Sequence, residues 1–250
     1  MPLLTLAWLC APWPGTASAD LVATVPRIKP SIVAVGTYQR TRTPPFRFLG
    51  TGFVVGNGLL VATNAHVIPA LSPAEQFESL VIALPGEVQS MVRKVTKTSV
   101  DKNSDLAVLS LEGAPLPALP LADSELVSEG QSIAFTGFPI GSVLGLSPVT
   151  HRGIVAAITP IGIPQANSGA LNPALIRRLA SDAFRVYQLD ATAYPGNSGS
   201  PMFDTETGQI LGIVNMVFVK NTKESALSDP SGITYAIPVA HLKALLKGLQ

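Results

Sequence analysis

Ser198 stands in the stretch AYPGNSGSP, residues 193 to 201, which crowds prolines, glycines and serines around one asparagine. One interpretation is a plain turn between two strands. The other is a tight loop, permitted by Gly196 and Gly199, that presents a serine hydroxyl and neighbouring amide N–H groups to a substrate. A serine that attacks a substrate needs a base to take its proton, and that base is usually an imidazole.

Three histidines could supply the imidazole. His66 lies in LLVATNAHVIPA, directly after an apolar strand-like run and beside small residues that allow a loop to pack closely. His151 lies within strand-like alternation in VTHRGIV, and His241 lies near the carboxyl end in a helical pattern. We expect solvated or capping roles for the last two, so His66 is the candidate base.

The base in turn needs a carboxylate that fixes its tautomer and stabilises the imidazolium. Asp105 begins the apolar run DLAVLSL, which should draw its backbone toward the interior. A buried carboxylate without a partner is costly, which favours a partner for Asp105. Asp101, in the polar turn DKNS, is the second candidate, and a turn-capping role is the alternative for Asp105. The candidate set therefore runs His66, Asp105, Ser198 along the chain.

Short apolar segments bounded by Gly, Pro, Asn or Ser must position these residues. The first series is SIVAVGTY, GTGFVVG, LLVATN, LVIAL and DLAVLSL, and the second is SIAFTGFP, VTHRGIVAAITP, FRVYQLDATA, QILGIVNMVFV and GITYAIP. Such segments are typical of antiparallel β-strands. A proline-rich bridge at 112–124 separates the series. The sequence predicts an all-β protein whose two domains span 20–118 and 119–250, with His66 and Asp105 in the first and Ser198 in the second.

Two helices are predicted outside these strands. Leucines recur at helical spacing behind Pro238, at Leu242, Leu245, Leu246 and Leu249. This pattern predicts a C-terminal α-helix. A second helix is predicted at 173–184, with Asn172 as its cap and Pro173 at its first position.

Composition excludes several classes of function. The net charge is +1 and 13% of residues are charged, without the basic excess of a nucleic-acid-binding protein. The only cysteine, Cys10, lies in the first 19 residues. A mature chain without cysteine excludes disulfides, thiol catalysis and thiolate metal sites.

Residues 1–19 are predicted to be a secretory signal peptide. An apolar core at Leu3 to Ala11 is followed by Ala17-Ser18-Ala19, a pattern that signal peptidase cleaves, although no Lys or Arg precedes the core. Cleavage before Asp20 and export to the periplasm or the medium are expected. An amphipathic first helix or a short membrane anchor is the alternative. No membrane contact is expected after cleavage.

Four blocks, TGFVVGNGLLVATNAHVI, NSDLAVLSL, LDATAYPGNSGSPMF and GITYAIP, together resemble the trypsin-like serine peptidases. The similarity is greatest to the HtrA/Deg branch, and the blocks extend from about residue 31 to 248. The resemblance implies two antiparallel six-stranded β-barrels followed by a C-terminal helix. It also implies hydrolysis of polypeptide substrates without a metal or organic cofactor. The chain ends soon after its last helix, so the PDZ domain that HtrA proteins usually carry is not expected. The sequence does not fix the oligomeric state, and of the possible states a monomer is favoured.

Roles for the candidate residues follow from the resemblance. It implies that Ser198 is the nucleophile, His66 the general base and acid, and Asp105 the orienting carboxylate. The oxyanion hole is implied at Gly196, Asn197 and Ser198. Within it the amides of Gly196 and Ser198 would be the donors and Asn197 would support the loop.

The resemblance also implies a substrate pocket with its floor at Thr192 and one wall formed by Asn215, Met216 and Val217. A pocket for a basic side chain would need a carboxylate at its floor. Thr192 supplies none, and Asp190 lies two residues away. We therefore expect a shallow neutral pocket that prefers small or medium aliphatic side chains.

Departures from the family pattern limit which of the family's properties can be expected of this chain. Ser200 replaces the second glycine that follows the nucleophile in the HtrA branch, and secreted glutamate-specific relatives also carry GNSGSP. Those relatives place a histidine where this chain has Val214, so glutamate specificity is not expected.

Two other functions are alternatives to the peptidase. An α/β-hydrolase with Ser198, Asp229 and His241 would need the pattern GxSxG and alternating helices and strands, which this chain lacks. A catalytically silent binding protein on a peptidase scaffold is the alternative that remains.

Overall fold

A computed structural model of the chain describes residues 21–69, 77–85, 92–123, 127–141, 145–160, 185–215 and 233–249. The predicted signal peptide at 1–19 and the helix predicted at 173–184 lie outside these residues. So do Met216, Val217 and Asp229. No helix among the described residues is both long enough and apolar enough to cross a membrane.

Twelve strands in the described residues form two closed antiparallel barrels of six strands each, as the sequence predicted. In the first barrel β1 pairs with β2 and β4, β3 pairs with β2 and β6, and β5 joins β4 to β6. Its strands are β1 (Ile32–Tyr38), β2 (Phe46–Val55), β3 (Leu60–Asn64), β4 (Ser79–Ala83), β5 (Val92–Asp101) and β6 (Leu106–Leu111).

The second barrel repeats this order, with β7 paired to both β8 and β10 and with β9 and β11 both paired to β12. Its strands are β7 (Ser132–Gly137), β8 (Val149–Pro160), β9 (Arg185–Asp190), β10 (Pro201–Asp204), β11 (Ile210–Asn215) and β12 (Ile233–Pro238). Closure of both sheets removes the exposed strand edges that an open sheet would present.

Side chains from alternate strand positions fill the barrels. Fully buried aromatic residues include Phe53 in the first barrel and Phe135, Tyr187 and Phe203 in the second. One cluster of buried residues extends through both barrels, so the two share a core. This common core holds the facing ends of the barrels in a fixed relation.

The proline-rich segment predicted as a linker at 112–124 forms backbone hydrogen bonds to both barrels. Leu119 donates its amide to the carbonyl of Val54 in the first barrel at 2.9 Å. Ile210 of the second barrel exchanges hydrogen bonds with Pro120 and Ala122 at 2.8 and 2.9 Å. Residues 119–122 of the segment are thus bonded to both barrels.

A helix lies at each end of the described chain. The C-terminal helix α2 (Val239–Lys247) confirms the leucine pattern, because Leu242 is fully buried and Leu245 packs against the core. The N-terminal helix α1 (Leu21–Ile28) was not predicted, and it contains Pro26. It buries Thr24 and Ile28 against the turn that joins β10 to β11.

Candidate active site

His66 lies in a 3₁₀ turn, Ala65–Val67, that follows β3 directly. The next residue, Val67, packs against Gly50 of β2, where a Cβ atom would come within 2.9 Å of both Val67 methyl groups. The same hypothetical Cβ atom would lie 3.2 Å from the carbonyl oxygen of Ser198. A glycine in β2 therefore allows the histidine turn and the serine loop to approach each other.

Asp105 occupies the residue before β6 and has the left-handed φ angle of 52°. Its backbone carbonyl accepts hydrogen bonds from the Ala65 amide at 3.0 Å and from Nδ2 of Asn64 at 3.2 Å. An aspartate tolerates this backbone region better than most residues, and the two donors fix the peptide that follows it. The conformation directs the Asp105 carboxylate toward the histidine turn.

The Asp105 carboxylate accepts three hydrogen bonds. The backbone amide of His66 donates to Oδ1 at 2.9 Å, and the ring atom Nδ1 of His66 lies 2.6 Å from Oδ2. Asn215 at the end of β11 donates from Nδ2 to Oδ2 at 2.7 Å. The structure thus brings His66 and Asp105 into the pair that a base and its orienting carboxylate require.

Asp101, the second candidate carboxylate, is engaged elsewhere. It accepts a hydrogen bond from the Ser104 hydroxyl at 2.6 Å and another from the Asn103 amide at 2.9 Å. Burial raises the pKa of Asp101, but these hydrogen bonds outweigh burial and hold the pKa below its ordinary value. Asp101 therefore closes the turn between β5 and β6 and does not contact His66.

Ser198 lies in the loop between β9 and β10 and is 8% exposed. Its carbonyl accepts the amide of Thr51 at 2.9 Å, and the Thr51 hydroxyl donates to the carbonyl of Gly196 at 2.7 Å. The same hydroxyl accepts the amide of Phe138 at 3.1 Å. Thr51 of the first barrel therefore holds the serine loop of the second barrel at two points and the segment after β7 at a third.

Two glycines shape this loop, as the sequence suggested. Gly196 and Gly199 have φ angles of 102° and 87°. At Gly199 a Cβ atom would lie 2.1 Å from the carbonyl oxygen of Thr51, and at Gly196 it would lie 2.4 Å from that of Phe138. Neither position has room for a side chain, so the close packing of the loop depends on glycine.

The backbone amides that flank Asn197 differ from their neighbours in the serine loop in having no acceptor among the described residues. Asn197, Gly199 and Ser200 each donate their amide to a carbonyl oxygen within the protein at 3.0 Å. Among the hydrogen bonds recorded between described residues, none uses the amide of Gly196 or Ser198. The side chain of Asn197 is fully buried beneath the loop. Donors that have no acceptor in the described part of the chain thus lie on either side of Asn197, an arrangement suited to a developing oxyanion.

No hydrogen bond between described residues joins the Ser198 hydroxyl to His66. Catalytic hydrogen bonds of this kind are often long before substrate binds and shorten in the complex. The described residues thus present a paired histidine and aspartate, a serine on a loop bonded to Thr51, and two amides without a described acceptor, all where the barrels meet.

The described residues of the predicted substrate pocket lie at the ends of β9 and β11. Thr192 is half-buried, and Asp190 is exposed as the last residue of β9. The Asn215 side chain turns to Asp105 and is fully buried, a contact that the sequence did not predict. Met216 and Val217, the rest of the predicted wall, lie outside the described residues.

The other two histidines lie apart from His66. His151 stacks on Phe135 with ring centroids 4.9 Å apart and lies 5.9 Å from the ring of Tyr194, and burial lowers its pKa. His241 on α2 faces Asp101. Burial lowers the pKa of His241, and the Asp101 carboxylate opposes that shift. Both histidines support the structure around the serine loop and the β5–β6 turn.

Sequence reasoning missed Thr51 and Asn64, and it predicted Asn215 only as a pocket wall and not as a partner of Asp105. Thr51, Asn64 and Asn215 are fully buried, and each bonds to the serine loop or to Asp105. A polar residue in a strand as apolar as LLVATN or ILGIVN is a usable signal, because a buried amide requires a partner. The identity of that partner depends on the tertiary fold.

Comparison with known proteins gives a consistent result. A family model described as a trypsin-like peptidase domain matches residues 50–213. A probable periplasmic serine endoprotease DegP-like protein of Halomonas elongata is 29% identical over 194 residues, covering 77% of this chain and 33% of the relative. The putative serine protease HhoA of Synechocystis is 29% identical over 198 residues, covering 78% of this chain and 41% of the relative. The chain thus spans about a third to two fifths of the length of these curated relatives.

Solved structures share the fold. The active form of the Rv3671c protease from M. tuberculosis aligns with a TM-score of 0.64 at 21% identity, covering 99% of this chain and 92% of its own. The serine endoprotease from Yersinia pestis aligns with a TM-score of 0.61 at 24% identity, covering 92% of this chain and 66% of its own. At these identities the alignments establish the fold alone.

Proposed function

Because this chain belongs to the family of trypsin-like peptidases, we propose that it is a serine endopeptidase that works through Ser198, His66 and Asp105. The observation that carries the proposal is the double contact of His66 with the Asp105 carboxylate, through its backbone amide and through Nδ1. That contact fixes both the position and the rotation of the imidazole. It leaves the opposite ring nitrogen, Nε2, to receive a proton.

Proton transfer follows from this arrangement. With Nδ1–H donated to Asp105, the lone pair of Nε2 takes the proton of the Ser198 hydroxyl as its oxygen attacks the peptide carbonyl. The imidazolium is stabilised by the carboxylate beside it and later gives its proton to the leaving amine. A water molecule then attacks the acyl-enzyme with the same proton transfers through His66, and Ser198 is regenerated.

The negative charge that develops on the carbonyl oxygen needs donors in place before the reaction. The amides of Gly196 and Ser198, which have no acceptor among the described residues, are proposed to supply them. Thr51 holds the Gly196 carbonyl and the Ser198 carbonyl from the first barrel. Little reorganisation is therefore needed when the oxyanion forms, which is what makes such a site effective.

The substrates are proposed to be polypeptides with a small or medium aliphatic side chain before the cleaved bond. Thr192 at the pocket floor offers no charge to an arginine, a lysine or a glutamate. Asn215, Met216 and Val217 are proposed as the wall, with Asn215 contributing its backbone because its side chain bonds to Asp105.

Cleavage of a random peptide library tests the function and the pocket together. We expect hydrolysis after Ala, Val or Leu, with only modest discrimination among them, because one methylene is worth about 1 to 3 kcal/mol. A strong preference for Arg, Lys or Glu at this position would contradict the neutral pocket. No cleavage of any peptide by the folded protein would favour the silent binding protein instead.

The protein is also proposed to be exported, on the strength of the apolar core and the Ala17-Ser18-Ala19 pattern in its first residues. Mass spectrometry of the natively produced protein should find Asp20 at the amino terminus and should recover the protein outside the cytoplasm. A cytosolic species that retains residues 1–19 would contradict export without affecting the proposed chemistry.

A further inference from the structure

Ser200, which replaces a glycine of the HtrA pattern, has a buried hydroxyl group beneath the serine loop. The residue is fully buried, and its Oγ atom has no hydrogen-bond partner among the described residues. Its backbone is bonded on both sides, because its amide donates to the Asn197 carbonyl at 3.0 Å and its carbonyl accepts the Val214 amide at 2.9 Å. A buried hydroxyl that makes no hydrogen bond is costly, so its presence requires a reason.

The carboxamide of Asn197 is in the same position. Asn197 is fully buried, and neither Oδ1 nor Nδ2 has a partner in the described part of the chain. The carboxamide and the Ser200 hydroxyl lie together at Gly137, the last residue of β7. A Cβ atom placed on Gly137 would collide with Ser200 Oγ and would lie 2.8 Å from Asn197 Oδ1. Because Gly137 has no side chain, the two polar groups share one small volume.

Thr51 closes this volume on the side of the first barrel. Its Oγ1 atom would lie 2.9 Å from the same hypothetical Cβ atom. That oxygen already donates its hydrogen to the Gly196 carbonyl and accepts the Phe138 amide. A hydroxyl group has one hydrogen to donate. Of the two hydroxyls that approach Gly137 among the described residues, only that of Ser200 still has a hydrogen for the Asn197 carboxamide.

We propose that Ser200 is a positioning residue for the oxyanion hole, and that its hydroxyl donates to Oδ1 of Asn197 when the loop tightens around a tetrahedral intermediate. The inference rests on the proposed peptidase function. Hydrogen bonds of active sites often shorten only in the reacting complex, and a bond between buried groups is stronger than one in water. Asn197 lies between the two amides proposed as donors, so a bond to its side chain restrains the peptide groups on both sides of it.

The change Ser200→Ala separates a positioning hydroxyl from one that bonds to nothing. If the hydroxyl bonds to nothing at any stage, its removal takes an unsatisfied polar group out of the core and leaves kcat unchanged. If it bonds to Asn197 in the transition state, its removal lowers kcat by about ten-fold while KM stays the same. Neither role predicts a lower unfolding temperature. Ser31→Ala is the matched control, because Ser31 Oγ is also buried without a described partner but lies directly before β1.

Two inhibitors built on one cleavable peptide sequence isolate the oxyanion hole. One ends in a boronic acid, whose boron atom bonds to the Ser198 oxygen while the serine proton passes to His66, so that an oxygen on boron faces the two amides. The other ends in a primary amide and forms no covalent bond. For Ser200→Ala and Ser200→Gly we expect the boronic acid to bind about ten-fold more weakly and the amide to bind as it does to the wild type. In Asn197→Ala, which lacks the carboxamide, Ser200→Ala should add little to the loss.

The outcomes separate the role of Ser200 from the peptidase itself. In a wild type that hydrolyses peptides, an unchanged kcat in Ser200→Ala, or equal weakening of both inhibitors, would overturn the positioning role alone. A full further loss from Ser200→Ala in the Asn197→Ala background would do the same, because the two side chains would then act independently. A wild type that hydrolyses no peptide and binds no boronic acid would overturn the peptidase and the positioning role with it.

Discussion

Replacement of Ser198 or of His66 by alanine is expected to lower kcat by about 10⁶-fold, the loss found when a member of such a triad is removed from subtilisin. Without Ser198 no acyl-enzyme forms, and without His66 the hydroxyl loses the base that takes its proton. The double variant should lose no more than either single one, because the two residues act as a unit. Peptide hydrolysis under saturating substrate measures the loss.

The control for this pair is Ser128→Ala, at an exposed serine of the second barrel, which should retain full activity. Unfolding in urea should give similar midpoints for all variants, since Ser198→Ala removes one hydroxyl from a loop that the backbone of Thr51 holds. Losses of less than a hundred-fold, or losses that multiply in the double variant, would count against the assignment of these two residues.

The change Asp105→Asn is expected to lower kcat by about 10⁴-fold, in line with the equivalent change in trypsin. If the new amide keeps its oxygen toward the His66 backbone amide, its NH₂ group replaces Oδ2 and faces Nδ1. Nδ1 must then become an acceptor, which places the ring proton on Nε2. A histidine protonated there cannot take a proton from Ser198.

Asn215 gives this prediction a second test. Its Nδ2 donates to Oδ2 of Asp105, so Asn215→Ala removes one of three donors to the carboxylate. A hydrogen bond to a charged group contributes about 1.5 to 3 kcal/mol, which corresponds to a loss of about 10- to 100-fold in kcat. Asn215→Ser retains a donor and should recover part of that loss.

The two changes at this carboxylate should not be additive. In the Asp105→Asn background, Asn215→Ala should cost much less than it does alone, because the donor then faces an NH₂ group. Asp123→Asn, at a fully exposed aspartate paired with Lys243, is the control and should leave kcat unchanged. A mild effect of Asp105→Asn together with a severe effect of Asp101→Asn would show that the wrong carboxylate was chosen.

The strands that the sequence predicted are those with a strong apolar pattern. β5 and β10 were not predicted. β5 is largely exposed and rich in Lys and Thr, and β10 spans only Pro201–Asp204. Both exist because closing a barrel supplies them with partners on each side. Helix α1 was missed because Pro26 argues against a helix, and its burial against the second barrel overrides that local preference.

The site shows the same limit on what a sequence can reveal. His66 and Asp105 could be proposed from strand ends and chain order, because their chemistry restricts where they are useful. Two hydrogen bonds of the site join residues more than a hundred positions apart, that of Thr51 to the serine loop and that of Asn215 to Asp105. Only the closing of two barrels against each other brings such residues together. The left-handed φ angles of Asp105 and Ile140 likewise follow from tertiary contacts and not from residue type.

Labelling with a fluorophosphonate, which reacts with an activated serine and ignores an inert one, is the most direct test of the central claim. Intact-mass analysis of the folded wild type should find one adduct, and peptide mapping should place it on Ser198. Ser198→Ala should take up no label, and His66→Ala should react far more slowly. A folded wild type that stays unlabelled, or a label that persists in Ser198→Ala, would contradict the proposal that this chain is a serine peptidase acting through Ser198.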